Sequence, residues 1–279
     1  MSPLWRNQLR VVLCPDQVII LGLGRGLRPK VFLQAILPCV PASDLPGWQP
    51  ALDAFAYWLS SRDSNEMGKT DVTVILSSHF VRFAVMPFSS DVTRRDEQRI
   101  LAQIMFEDIY GELSGQWTLE IGQGGYGEAT LIAAVDTLLL DKITTLLNSS
   151  ALRLNAITPY FVSAFNGFCG QLQASGGLFA VVETGLMVVA AFNNGQLFSV
   201  SRIPLNGQLE ELLPILLQRE ALTSGLNPEA APVYLHVAGR PDLKLRCDGK
   251  MAVHILQPLD RNGVISVVDA SFDIVAGGT

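Results

Sequence analysis

The sequence has no apolar run approaching the roughly 18 residues that a helix needs to cross a bilayer, no Lys/Arg-rich segment and no C-x-x-C pair. Each absence removes a class of function. Without a basic face interleaved with aromatics, nucleic acid is not an expected partner; the net charge of −6 comes from dispersed acids rather than runs. The opening "MSPLWRNQLRVVLCPD" lacks the charged-then-apolar layout of a secretory signal. A cytosolic protein with no direct membrane insertion is therefore expected. The four cysteines, Cys14, Cys39, Cys169 and Cys247, are far apart in apolar surroundings and read as reduced, buried thiols. The three histidines, His79, His236 and His254, sit singly on strand-like segments with no Cys, Asp or Glu at ligand spacing, so no metal site is assigned.

What is present is hydrophobic: 49% of 279 residues, enough for a large core and for one big or two moderate domains. "RVVLCPDQVIILGLG" is two apolar runs joined by a Pro/Asp turn, a hairpin, and "VFLQAILPCV" pairs with it. A helix follows in which Leu52, Phe55, Ala56 and Leu59 share a face. "VTVILSSHFVRFAVMPF" reads as two short strands around Ser77-Ser78-His79, closed by Pro87. The next helix carries a core stripe of Ile100, Leu101, Ile104 and Met105. Strand, glycine loop, strand and helix succeed it through "NSSA", then a short strand and a helix started by Thr158 and Pro159. A second hairpin, "LFAVVETGLMVVAAFNNGQLFSVSRIPL", ends in Arg202; a helix, the strand "PVYLHVAGR" and short strands near "MAVHIL" complete the chain. Strands alternate with helices, so the class is α/β, with α+β character and mixed sheets.

"LRVVLCPDQVIILGLGRG" and "LFAVVETGLMVVAAFNNG" share a layout of apolar run, acidic turn, apolar run and glycine turn, which suggests a duplicated lobe. In this arrangement the chain resembles the actin, sugar kinase and Hsp70-like ATPase superfamily. More narrowly it is similar to the pilus and secretion branch, the PilM, MshI-like and GspL cytoplasmic-domain proteins. The resemblance implies a duplicated two-lobe actin-like (ribonuclease H-like) fold, with an N-terminal lobe over residues 1–172, a subdomain inserted at about 62–125, and a C-terminal lobe over 173–279.

The superfamily grips magnesium and phosphate with its two hairpin turns, through an acid, a close-approaching glycine and hydroxyl side chains. Here the first turn offers Asp16 but no glycine or hydroxyl, and Pro15 removes a donor. In the second, Glu183, Thr184 and Gly185 keep part of the pattern, but Leu186 and Met187 stand where small and hydroxyl residues belong. Gly239 stands alone where a glycine pair would meet a nucleoside, with Arg240 beside it. Asp16, Glu183, Thr184, Gly185 and Gly239 thus outline a vestigial nucleotide pocket: no cofactor is expected, with ATP and magnesium the alternative.

Other signals fall to plainer readings. "GQGGYG" at 122–127 fits G-x-G-x-x-G, but a strand follows it rather than a helix, so it is a hairpin loop; "GLGRG" at 22–26 fails in the same way. Ser77-Ser78-His79 has no oriented acid and reads as a turn or contact surface. Glu107, Asp108 and Glu112 form a solvated helix end, and the tail "VDASFDIVAGGT" is small-residue chain. No catalytic residue is assigned. The resemblance implies a non-catalytic cytoplasmic scaffold, recruited to the inner face of the inner membrane, in a type IV pilus or type II secretion assembly platform. Its partner would be an inner-membrane protein with a short cytoplasmic tail, PilN-like, or an assembly ATPase. The alternatives are an ATP-binding protein whose nucleotide state regulates partner binding, and an unrecognised α/β small-molecule enzyme.

Overall fold

The long apolar runs among the described residues form strands or helix faces in the computed structural model, which describes residues 6–26, 30–62, 69–125, 127–150, 152–172, 176–240, 243, 245 and 251–257. Along the chain the elements run β1 (Asn7–Leu13), β2 (Gln17–Leu23), β3 (Val31–Pro38), α1 (Gln49–Ser60), β4 (Thr70–Leu76), β5 (Val81–Met86), α2 (Arg95–Tyr110), β6 (Trp117–Ile121) and β7 (Thr130–Asp136). They continue as α3 (Thr137–Asn148), β8 (Arg153–Pro159), α4 (Tyr160–Phe168), β9 (Gly177–Glu183), β10 (Leu186–Asn193), β11 (Gln196–Pro204), α5 (Leu209–Thr223), β12 (Val233–Val237) and β13 (Val253–Ile255). Two compact units result: the described residues of Met1–Val81 and Asp136–Gly167, and those of Arg82–Val135 and Phe168–Gln257.

The first unit holds a five-stranded sheet in the order β3-β2-β1-β4-β8. β1, β2 and β3 form an antiparallel meander, while β4 and β8 are parallel to β1. Central β1 and β2 are almost wholly buried, whereas edge strand β3 alternates between half-buried and exposed residues, which is why its sequence mixes Phe, Gln and Pro among the aliphatics. Asp71 on β4 is clamped by the register: Arg153, directly opposite on β8, donates from Nε and Nη2 to its two carboxylate oxygens at 3.0 Å each, and Arg6 pairs with the same group. α1 packs on β2 and β3 through Ala51, Leu52, Phe55 and Trp58. Leu52 and Phe55 are as expected, but Trp58 occupies the buried face and Ala56 and Leu59 flank it, because the packed stripe follows i, i+1, i+4 and i+7 from Ala51. The starts of α1 and α3 are tied together: Trp48 Nε1–H donates to Asp136 at 2.9 Å, Asp136 caps the amide of Leu138, and Lys142 lies 5.1 Å above the Trp48 ring.

The second unit contains two sheets. β11-β10-β9-β12-β13 repeats the order and directions of the first unit's sheet, with a meander β9-β10-β11 and parallel β12 and β13, as the duplicated layout predicts. Here α5 covers one face with Leu213, Leu217 and Ala221 against Met187, Val189, Val182 and Leu235. The smaller sheet, β5-β7-β6, is covered by α2. The expected stripe on α2 is corrected: Ala102 and Phe106 are its buried core residues, Leu101 and Met105 are half-buried, and Ile100 and Ile104 are exposed at 62% and 49%. Aromatic anchoring explains the rotation, since Phe106 stacks on Tyr110 and both meet Trp117 edge-on, at centroid distances of 5.0–6.4 Å, and aromatic rings bury more area than the isoleucines would.

The cysteines also depart from expectation. Cys14 and Cys39 are half-buried and Cys169 is exposed, because they lie at a hairpin turn, just past an edge strand and in a surface 3-10 turn. Cys247 and the segment "VDASFDIVAGGT" lie outside the described residues. Among the described residues no helix is long and apolar enough to cross a membrane. Phe55 is fully buried beneath the first sheet. Its truncation, Phe55→Ala, is expected to lower stability by about 3–5 kcal/mol, read as a lower denaturant midpoint with an unchanged slope.

Candidate functional site

In open sheets with parallel strands, ligands gather beyond the carboxyl ends of those strands. In the second unit these ends belong to β9 and β12. β9 closes on Glu183, and a two-residue turn of Thr184 and Gly185 returns the chain to Leu186, the cross-strand partner of Glu183. Gly185 has φ +75°, a conformation that an L side chain adopts only under strain, and its carbonyl accepts from Leu205 N–H at 2.9 Å. β12 ends in the turn Ala238-Gly239, with Gly239 at φ +69°. Ala238 N–H donates to Val182 C=O at 2.9 Å, so this turn lies alongside the Glu183 hairpin. Four of the five outlined residues, Glu183, Thr184, Gly185 and Gly239, therefore meet at one end of one sheet. Arg240 is fixed to the first turn of α5 through Glu210, Nη2 to Oε1 at 2.9 Å.

Asp16 belongs to the first unit, in the matching place of its own sheet. There Cys14 N–H donates to Gln17 C=O at 2.9 Å, and Ser77 N–H donates to Leu13 C=O at 3.0 Å, the counterpart of the Ala238 bond. Hairpin register sets Cys14 opposite Gln17 as Glu183 is set opposite Leu186. Pro15 and Asp16 thus hold the positions of Thr184 and Gly185, and the two acids do not occupy equivalent sites. Asp16 is exposed; its backbone carbonyl accepts from Cys39 N–H at 2.7 Å. Burial, and then the Asp16 charge, push the Cys39 thiol up from its usual pKa. Ser77 and Ser78, wholly buried, are the first-unit counterparts of Ala238 and Gly239. Their place at a parallel strand end was hidden in the sequence because β4 reads like half of a hairpin with β5, although β5 pairs only with β7 among the described strands.

The faces of the second sheet decide what the hairpin holds. Leu178, Ala180, Val182, Met187, Val189, Ala191 and Ile203 point to α5. Strand alternation sends Glu183, Leu186, Val188, Arg202 and His236 to the other side. Met187 is thus core beneath the sheet, and only Leu186, 4% exposed, shares the face of Glu183. Arg202, Val188, Val181 and His236 line up in one cross-strand row. Arg202 is half-buried. Burial and then the neighbouring charge of Arg82 lower its pKa, while Tyr110 and Glu183 oppose them. Among the described residues no three His, Cys, Asp or Glu side chains group as metal ligands.

The geometry is that of the actin-like ATPase fold: two sheets of one topology, each opening on a hairpin whose turn lies beside the end of a parallel strand. Three solved structures share it. One is a protein of unknown function with an actin-like ATPase fold from Bacteroides thetaiotaomicron, at 11% identity and a TM-score of 0.58, over 86% of this chain and 85% of that one. Another is the cytoplasmic domain of EpsL, an inner-membrane component of the type II secretion system of Vibrio cholerae, at 13% identity and 0.56, over 90% of each chain. The third is the PilM–PilN type IV pilus biogenesis complex, at 13% identity and 0.61, over 97% of each matched chain. No protein-family model and no curated protein matches the sequence.

His236 gives the site a pH signature. It is 3% exposed on β12, its Nδ1 lies 3.3 Å from Leu256 C=O, and its ring lies 4.9 Å from that of Phe168. Burial drives its pKa down to about 4, against a smaller opposing effect of the Leu256 bond. The unfolded chain therefore takes up the proton first as pH falls. Stability is expected to be full above the unfolded pKa of about 6.5 and to decline between there and about pH 4, by up to about 3 kcal/mol. In His236→Asn, less stable overall, that part of the slope disappears; urea titrations at pH 7 and pH 4.5 measure the difference.

Proposed function

We propose that the protein is a non-catalytic actin-like scaffold of an inner-membrane assembly platform of the type IV pilus or type II secretion kind. It works on the cytoplasmic side, held there by the short cytoplasmic tail of a single-span, PilN-like partner or by an assembly ATPase. The observation that carries this is Leu186: it is buried and shares the face of Glu183, at the position that the superfamily resemblance assigns to a small or hydroxyl residue beside phosphate. An apolar side chain there offers no hydrogen bond, and a desolvated oxygen without a donor costs several kcal/mol. In the other hairpin, Pro15 takes a backbone donor away. End-to-end likeness to the PilM–PilN complex and to the EpsL cytoplasmic domain supports the assembly context.

A second reading has its own support. Gly185 and Gly239 keep the positive-φ turns that admit a ligand close to the backbone, and Glu183 keeps a carboxylate beside them. In that reading the protein binds ATP without turnover and uses it to regulate partner binding. Thermal unfolding with millimolar Mg-ATP separates the two. The scaffold reading expects no rise in Tm and no phosphate release, whereas a saturable rise favours the second, since a ligand bound only to the folded state must stabilise it. Co-purification with a single-span inner-membrane protein whose cytoplasmic tail suffices for capture tests the partner.

A further inference from the structure

One end of the first sheet is cationic, although the chain as a whole carries a net charge of −6. Strand register builds this end from separate segments. Arg6 precedes β1, Arg25 follows β2, Lys30 precedes β3, Lys69 precedes β4 and Arg153 opens β8, so each strand of the five-stranded sheet brings one cation to the same end. Pairing sets them in one line: Gln8 faces Leu23, Asn7 faces Thr70 and Asp71 faces Arg153, while Gly24 N–H donates to Lys30 C=O at 2.8 Å and Asn7 N–H donates to Lys69 C=O at 3.1 Å. With neighbouring strands ~4.8 Å apart, the line is roughly 19 Å long. Arg25, Lys30, Lys69 and Arg153 are exposed and Arg6 is half-buried. Phe32, 45% exposed on edge strand β3, adds an apolar side chain beside Lys30.

Among the described residues of this unit Asp71 is the one acid at the cationic end, shared by Arg6 and by Arg153, whose side chain is still 61% exposed. Asp16 lies in the hairpin turn at the far end, Asp44 follows the far end of β3, and Asp53, Asp136 and Asp141 belong to the starts of α1 and α3, which Trp48 ties together. Arg28, Asp63 and Glu66, in the linkers that enter the cationic end, lie outside the described residues; counted from the sequence with the rest, they leave six cations against three acids. The excess is positive either way.

We infer that the amino end of the first sheet is a membrane-docking surface that lies against anionic lipid headgroups. A site for one discrete anion gathers its cations around a point. Here they are spaced along the end of a sheet, which suits a partner whose own charge is spread over a plane. Long Lys and Arg side chains reach headgroups while the backbone keeps its pairing, and an exposed aromatic settles at headgroup depth. Such adsorption needs no spanning helix, and the described residues contain none. The inference extends the assembly reading by naming the end of the protein that faces the bilayer. Bare vesicles test it without any partner, so it can fail while partner capture stands, and the reverse.

The test is flotation of the full chain with vesicles of phosphatidylcholine alone or with about one third phosphatidylglycerol, in about 0.05 M and about 0.5 M salt. Binding is expected to the phosphatidylglycerol vesicles at the lower salt and to neither kind at the higher. Lys30→Gln and Lys69→Gln, at exposed positions outside the Asp71 clamp, should melt as the wild type does and each lower the partition about fivefold, the pair about 25-fold. Arg99→Gln removes the same charge from an exposed position of the second unit and should leave the partition unchanged. Absence of binding to phosphatidylglycerol at low salt, binding that salt does not weaken, or an equal loss in Arg99→Gln would each overturn the surface. Binding of soluble polyglutamate in place of vesicles would give this end to an acidic protein and overturn the choice of lipid.

Discussion

The parallel pairing of each hairpin's first strand with a strand that arrives later is the constraint on which the rest depends. β1 takes β4, and β9 takes β12, in matching registers. Each pairing buries the hairpin's first strand on both sides in the sheet plane, and each sets a backbone amide just past the later strand onto the carbonyl before the turn, Ser77 to Leu13 and Ala238 to Val182. Without that bond the turn residues would be an exposed loop with no neighbour. With it, two sequence positions more than fifty residues apart become adjacent parts of one strand-end site.

Much of this was legible in the sequence, and for a physical reason. Alternation and turn chemistry are local, so "RVVLCPDQVIILGLG" and "VVETGLMVVAAFNNG" announce hairpins by themselves, and the match between them announces two sheets of one kind. In the second hairpin the inner turn keeps Glu183, Thr184 and Gly185, and the outer one places Asn194 and Gly195 both at positive φ, the pattern a two-residue β-hairpin loop requires.

The rest is set by contacts that no short window contains. Leu186 and Met187 look alike as a pair of bulky residues, yet a strand sends them to opposite faces, and only the depth of α5 shows that Met187 is core. On α2 the isoleucines outweigh Ala102 in hydropathy, but the partner surface has room for Ala102 beneath the Phe106, Tyr110 and Trp117 cluster. Arg202 gives no signal as a letter in a strand; that its Nε is sealed from solvent without an acceptor follows only from how β11 pairs with β10 and packs. The two acids show the same limit from the other side, since Asp16 and Glu183 align as letters and separate by register.

The clamp on Asp71 has a consequence for the order in which the chain can fold. Its bidentate partner, Arg153, lies 82 residues further on, with the whole of β5, α2, β6 and β7 in between. On a chain emerging from the amino end, the meander β1-β2-β3 can close early, because its contacts are short in sequence. β4 can then dock, but its outer edge and the Asp71 carboxylate must wait until β8 has been made. For that interval the nascent first sheet presents an apolar parallel edge and a half-compensated acid, the kind of surface that holds a young chain open to other chains. The inserted segment therefore does more than decorate the lobe: its length sets the delay before the sheet can be sealed.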